Sequence, residues 1–200
     1  TFKDDEDVPM ITVIPHGRTV TVKMKVIGFD VTNGVSLSEA EQEARRQMMG
    51  VVYHLQTIGF RGATYPSHKL AWAFPHIGIR EGRRVVAQHI LTADEVLAGC
   101  HQPDAVAVGS YHIDYHWPNV LQRAGTGVTT QCPPYHIPFR ALRPKDLANV
   151  LVPGRCLSGE QMAMSSFRVM GICAQTGFAA GIAAAFAVRQ NTRLDEIDQT

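Results

Sequence analysis

Asn149-Val150-Leu151-Val152-Pro153-Gly154-Arg155-Cys156-Leu157-Ser158, followed by Arg168-Val169-Met170 and an almost unbroken apolar run to Val188, is the stretch whose reading decides the fold. Asn149 to Val152 reads as a short strand buried on both faces, closed by Pro153-Gly154. A loop rich in small residues (Ser158, Gly159, Ser165, Ser166) then leads to a helix predicted to begin near Arg168. Strand, glycine turn and helix bring unpaired backbone N–H groups and a positive dipole end to one crevice. Such a crevice holds anions, and in open α/β sheets ligands sit beyond the carboxyl ends of the strands. A tight strand-to-helix turn that needs glycine for its backbone alone is the competing reading.

Between Val169 and Val188 only Gln175 and Thr176 are polar, and Gly171, Ala174, Gly177 and Gly181 put small residues along the helix. About 20 residues at 1.5 Å each reach across a bilayer, so a single membrane span is one reading. A helix apolar all round is equally what the centre of a layered α/β domain requires, and no second apolar segment accompanies it. The buried core helix is the reading adopted, with Gly177 and Gly181 serving close backbone approach.

Working outward toward the start, Asp4 to Asp7 form an acidic, solvated lead-in. Met10 to Ile14, the turn Pro15-His16-Gly17-Arg18 and the alternation of Val20, Val22, Met24 and Val26 predict an antiparallel hairpin with one wet face. Ser36 with Glu39 is a capping-box pattern, and Ala40, Ala44, Met48, Val51, Leu55 and Ile58 predict an amphipathic helix running to about Gly59. Arg61 to Pro75 reads as irregular chain. His76 to Leu91 reads as strand, Thr92 with Glu95 as the cap of a short helix ending near Gly99, and Ala105 to Trp117 as strand. Residues 118 to 133 read as loop, and Tyr135 to Leu142 as a strand closed by Pro144.

The 200 residues suffice for one domain, or one large domain with a lobe attached. Hydrophobic residues make up 45% and charged residues 18%, and the 17 Gly and 11 Pro show no period. Those values exclude disordered, collagenous and coiled-coil readings. A net charge of +1 is too balanced for a phosphate-tracking surface, so no nucleic-acid partner is expected. Cys100, Cys132, Cys156 and Cys173 include no Cys-x-x-Cys pair, which favours reduced thiols and a cytoplasmic setting. The opening at Thr1, without Met or a signal pattern, reads as a processed product or a piece of a longer protein.

Several separated motifs, in order, resemble the FAD-dependent oxidoreductase family. They are the Asn149–Ser158 run, Ser166-Phe167-Arg168-Val169-Met170, Gly177-Phe178-Ala179-Ala180-Gly181, Gly78-Ile79-Arg80-Glu81-Gly82-Arg83-Arg84, Leu91-Thr92-Ala93-Asp94-Glu95-Val96-Leu97, Ile113-Asp114-Tyr115-His116 and Pro134-Tyr135-His136-Ile137-Pro138-Phe139-Arg140. The resemblance spans about Val22 to Arg189 and implies an α/β flavoprotein. Residues 145–200 would be the C-terminal part of a Rossmann-like FAD-binding domain, and residues 1–144 a mixed, mainly antiparallel α+β substrate lobe. It further implies that Gly154 and Arg155, with Ser158 close by, approach the ribityl and pyrophosphate region, and that Arg168, Val169 and Met170 offer N–H groups to the pyrimidine edge. A reduced flavin gathers negative charge there, which a helix N-terminus stabilises. The Gly-x-Gly-x-x-Gly segment that opens such proteins does not occur in this sequence. The N-terminal half is therefore expected to be a separate polypeptide, to have been cleaved away or to lie outside these 200 residues, and an N-terminal FAD-domain polypeptide, from the same gene product or a separate chain, is an expected partner. Gly82, Pro153 and His112 also depart from the family's usual Thr, Ala and Pro.

On the substrate side, Arg80 and Arg84 share a strand face and suit an anionic or oxygen-rich substrate, with structural ion pairs to Glu81 as the competing reading. His112, Asp114 and His116 lie along one face about 7 Å apart. Ligands on one straight strand diverge, so no metal is expected; Asp114 orienting a His116 that holds a loop or assists proton transfer is one reading, and structural hydrogen bonding of both residues is the favoured one. Tyr135, His136 and Arg140 are the candidates to face the flavin ring, with His136 as the base. A structural histidine is the alternative at position 136. The expected reaction passes hydride from a small hydroxyl- or amine-bearing substrate to FAD, with homo-oligomerisation possible and no membrane partner. The alternatives are a non-catalytic subunit that completes a cofactor site on another chain, and a single-span membrane-anchored protein.

Overall fold

A computed structural model describes residues 12–116 and 127–197. Among them the chain forms two compact units, residues 12–79 and residues 80–116 with 127–197. The boundary expected at residue 144 falls inside the second unit.

In the first unit, β1 (Thr12–His16) and β2 (Thr19–Lys23) pair antiparallel with Val13 opposite Val22. Gly17, at φ +60°, makes the turn between them. Side chains on β2 alternate as expected, Val20 and Val22 half-buried and Thr19, Thr21 and Lys23 exposed, but the strand stops at Lys23 rather than Val26. Helix α1 (Gly34–Thr57) is capped by Asn33, whose side chain accepts from the N–H groups of Val35 at 2.9 Å and Ser36 at 3.3 Å. This cap contributes about 1 kcal/mol. The expected Ser36–Glu39 box does not form, because the Ser36 hydroxyl turns back to accept from Asp30 N–H at 3.0 Å. Val51 and Leu55 pack with Val13, Val22, Phe60 and Tyr65 into a small core.

The stretch after α1 is irregular, as its composition predicts, and is tied down by side chains of the helix. Arg45 donates to the carbonyls of Phe74 and Pro75, both at 2.8 Å, and the Ile77 N–H donates to Glu41 at 2.8 Å. The strand expected over residues 76–91 does not form. Its backbone donors go to scattered acceptors: Glu41 for Ile77, Cys156 for Val85, Arg143 for Gln88 and Ser158 for Leu91. A ladder needs one continuous neighbour, and this segment has none.

The second unit holds two short antiparallel ladders. β3 (Ala105–Gly109) pairs with β6 (Tyr135–Pro138), and β4 (Ile113–His116) pairs with β5 (Gly127–Thr130). The single strand expected over 105–117 is thus two, because its halves serve different partners. Trp117 and residues 118–126 of the expected loop lie outside the described residues, and the remainder of that loop includes β5. β6 ends at Pro138 rather than at Leu142: the N–H groups of Phe139 and Arg140 both turn to Asp104, bending the chain into a 3-10 turn over Phe139–Ala141. Helix α2 (Ala93–Ala98) carries the predicted capping box of Thr92 and Glu95, and Gly99 closes it at φ +65°.

Residues 149–152 are not a buried strand. Val150 is 41% exposed, and among the described residues no strand pairs with the segment. It is held to the core by packing of Leu151 and by the Val152 N–H bond to Leu142 O at 2.8 Å. The expected Rossmann-like layering is therefore corrected: the sheets among the described residues are three two-stranded antiparallel ladders, and the parallel pairing is a single bridge between Leu91 and Gly159. The architecture is mixed α/β.

Residues expected to be loop form helix α3 (Gln161–Phe167), which carries Ser165 and Ser166. The terminal helix α4 (Met170–Gln190) starts two residues later than predicted, and Arg168 closes α3. The core gathers Leu91, Ile113, Tyr135, Ile137, Leu157 and Phe167, each at 0% exposure. Full burial of such side chains contributes about 1.5–3 kcal/mol each. α4 buries only the stripe Ile172, Thr176, Ala180 and Ala187. The expectation of a helix buried all round is corrected, since Met170, Phe178, Ile182 and Val188 are 88%, 72%, 55% and 81% exposed. By length and composition α4 is long and apolar enough to cross a membrane. Its Gln175 accepts from Val108 N–H at 3.1 Å and donates to Val108 O at 3.2 Å, sealing the open edge of β3.

Candidate functional site

Alternation along β4 sends Ile113 and Tyr115 into the core and leaves Asp114 and His116 half-buried on the other face. Asp114 is a hub. His116 Nε2 lies 3.0 Å from its Oδ1, and Arg168 Nη2 lies 3.0 Å from its Oδ2 and 2.7 Å from its backbone oxygen. Arg80 Nη1 approaches Oδ2 at 3.5 Å. Arg168 is only 10% exposed and Arg80 58%, so one guanidinium is built in and the other reaches solvent. Burial lowers the Arg168 pKa, and the neighbouring Arg80 charge lowers it further, with Asp114 opposing both. Beside this hub Gln161 donates to both Glu81 oxygens at 3.1 Å and takes a bond from the Tyr115 hydroxyl at 3.3 Å.

The structure thus brings Arg80, His116 and Arg168 together. The expected Asp114–His116 contact is present; the Arg168 side chain points to Asp114, and its N–H, expected to face the pyrimidine edge, donates to Met164 O at 3.0 Å. Arg84 is turned away, donating to Gly159 O at 2.9 Å. His112 stacks on Tyr111 with ring centroids 4.0 Å apart and takes no part in the hub. Among the described residues no three His, Cys, Asp or Glu side chains are placed to hold a metal ion.

The β6 candidates belong elsewhere. Tyr135 is fully buried, its hydroxyl 2.7 Å from Ser166 Oγ, and burial pushes its phenol up to about 12. His136 faces the opposite side of β6, where its Nδ1 accepts from Gln102 N–H at 3.2 Å and its ring packs 4.4 Å from His101. Arg140 is bound to Asp104 and donates to Gln102 Oε1 at 2.6 Å, and Gln102 in turn donates to Glu95 at 2.8 Å. His136 and Arg140 therefore stand in a network of Glu95, Gln102 and Asp104, not at the Asp114 hub. Sequence spacing carries no signal for Gln102, Asp104, Gln161 or the Arg168–Asp114 pair, because each partner comes from a distant segment.

This network has a pH signature. Burial raises the Glu95 carboxyl, but bonds from Thr92 N–H, from His89 and from the Thr92 hydroxyl outweigh it and hold the group below its ordinary range. A depressed acid contributes stability above its unfolded value, lost as pH falls through the folded one. Urea midpoints taken between pH 7 and about pH 3 should therefore fall less steeply in Glu95→Gln than in the unchanged chain.

At the turn after residue 153, Gly154 adopts φ +71° and opens a 3-10 turn over Gly154–Cys156. Its N–H donates to Thr176 Oγ1 at 3.0 Å, so that donor is spent inside the protein. Arg155 is exposed, and Ser158 is buried with its backbone held by Ala141 and Leu91. At the start of α4 no side chain caps Val169, Met170 is open to solvent, and a Cβ on Gly171 would meet nothing within 4 Å. The helix start is open to an anionic group, and the Gly154 amide is not.

A fold of mixed α/β type with this open helix start and a cationic hub is consistent with what one comparison finds: the chain belongs to the FAD-dependent oxidoreductase family, whose model matches residues 3–200. A search of curated proteins and a search of solved structures each found no match.

Proposed function

We propose that this chain supplies the substrate-binding region and one wall of the flavin site of an oxidoreductase that passes hydride from a small hydroxyl- or amine-bearing substrate to FAD. The observation that carries the reading is the convergence of Arg80, Arg168 and His116 on Asp114, in a chain of a flavin-dependent family. Arg80, the exposed guanidinium, receives oxygen atoms of the substrate through its forked donors. Arg168 and Asp114 fix Arg80 and the His116 ring, and His116 moves the hydroxyl or amine proton. When bound, the flavin supplies a two-electron acceptor, and Val169, Met170 and the exposed Arg155 are the residues of this chain that would hold it. His136, Arg140 and Tyr135 receive no contact with substrate in this reading, and their bonds support structural roles.

The reading includes the N-terminal FAD domain, from the same gene product or a separate chain, docked on the exposed apolar face of α4 around Phe178 and Ile182. A solvated face of that kind is what an unmet partner leaves behind. The test is to co-express the two polypeptides, purify them through a tag on this chain, and record intact masses with an absorption spectrum. A second mass and a flavin spectrum, the latter reduced in Arg155→Ala, are the expected result. A colourless preparation of this chain alone with the co-expressed FAD domain present in the lysate would count against the reading.

A further inference from the structure

The Gly154–Cys156 turn carries one cysteine and lies against the first turns of α4, which carry another. A Cβ built on Gly154 would lie 4.0 Å from both the Cβ and the Sγ of Cys173, and Cys156 ends that same turn two residues on. Thr176, one turn along α4, pins the Gly154 N–H, so turn and helix are held side by side. Cys156 is exposed, Cys173 is half-buried, and both are free. Cys173 Sγ lies 3.4 Å from the Arg168 carbonyl and 3.6 Å from that of Phe167. Burial raises the Cys173 thiol, the Arg155 guanidinium lowers it, and Cys156 raises it again, so Cys173 lies within the field of Cys156. Cys132 is elsewhere, its thiol 3.1 Å from the Tyr111 carbonyl.

We infer that Cys156 and Cys173 are a dithiol that closes to an intrachain disulfide by exchange with a small disulfide of the glutathione class. The accessible Cys156 thiolate attacks one sulfur of the small disulfide, whose S–S bond breaks and releases one glutathione as thiolate. Cys173 then gives its proton to solvent, and its thiolate attacks the Cys156 sulfur of the mixed disulfide, displacing the second glutathione. Two protein thiols are oxidised by two electrons, one S–S bond is formed and one broken, and one glutathione disulfide is reduced to two thiols. The bridge staples the glycine turn to the start of α4. It requires no flavin, so its fate is separate from that of the reading above.

The test treats the folded 200-residue chain with oxidised glutathione, blocks remaining thiols with a maleimide and digests with trypsin without reductant. Cleavage after Arg155, Arg168 and Arg189 puts Cys156 on peptide 156–168 and Cys173 on peptide 169–189, while Cys100 and Cys132 fall on other peptides. The expected product is peptide 156–168 joined to peptide 169–189 with the loss of two hydrogens, separated by reductant, and in large excess over any other pairing. In Cys173→Ser, Cys156 should stop at the mixed disulfide and retain one glutathione. Separate glutathione adducts on the two peptides of the unchanged chain, linkage dominated by Cys100 or Cys132, or thiols at 156 and 173 that stay fully maleimide-blocked would each overturn the inference. The main readout uses the unchanged chain, so a poorly folding variant does not blunt it.

Discussion

Replacing Asp114 by asparagine is expected to lower kcat/KM about 100-fold, the size of effect that follows when groups set to receive substrate move by about 1 Å. One carboxylate is the common anchor of Arg168, Arg80 and His116. Asparagine keeps the shape but has neither the charge nor the second acceptor oxygen. Arg168, 10% exposed, would then lose its main counter-charge. Breaking a fully buried pair costs about 3–5 kcal/mol, and because Asp114 is 26% exposed a loss nearer 2 kcal/mol is expected in the urea midpoint. The informative contrast is with Arg80→Ala, which should raise KM while leaving stability almost unchanged, as expected for a half-solvated cation that binds without supporting the fold. If Asp114→Asn loses stability and keeps its turnover, the hub is scaffolding and the substrate lies elsewhere.

The largest loss of stability is expected at Phe167, where alanine should cost about 3–5 kcal/mol. The ring is wholly buried at the end of α3, and the space it fills abuts Gly159, where an added Cβ would come within 2.6 Å of it. A domain of ordinary stability has about 5–15 kcal/mol in total, so this one truncation removes a large share. Chemical denaturation with near-ultraviolet circular dichroism is the measurement. A midpoint shift under about 1 kcal/mol would mean that the ring's surroundings collapse around the gap or were loosely packed at the outset.

Local signals were legible wherever the physics is local. The hairpin around Gly17, the Thr92–Glu95 box, the Gly99 stop and the end of α1 at Gly59 each depend on residues within a few positions of one another. The alternation of Ile113 and Tyr115 against Asp114 and His116 located the face of the hub, because period two needs only one strand. What failed was everything that needed a distant neighbour. Val150 to Val152 carries the composition of a buried parallel strand, yet composition does not provide the flanking strands, and without them the segment is half-exposed chain. Residues 76–91 alternate well enough for a strand, but their donors are claimed one by one by different segments. Arg168 illustrates the same limit at the site: its position before an apolar helix suggested an anion crevice, and only the fold reveals that a carboxylate 54 residues earlier claims it. Family resemblance bridged part of that gap, since separated motifs carry long-range information that periodicity lacks.

Leu91 is clasped on both sides by a segment made much later, its N–H bonded to Ser158 O and its own carbonyl to Glu160 N–H. On the ribosome, strand β3 and helix α2 therefore emerge well before the residues that bury them, whereas the β1–β2 hairpin and α1 find their partners almost at once. The second unit must wait, with its apolar surfaces uncovered, for translation to pass residue 160. That interval is when a chaperone would have the most to hold.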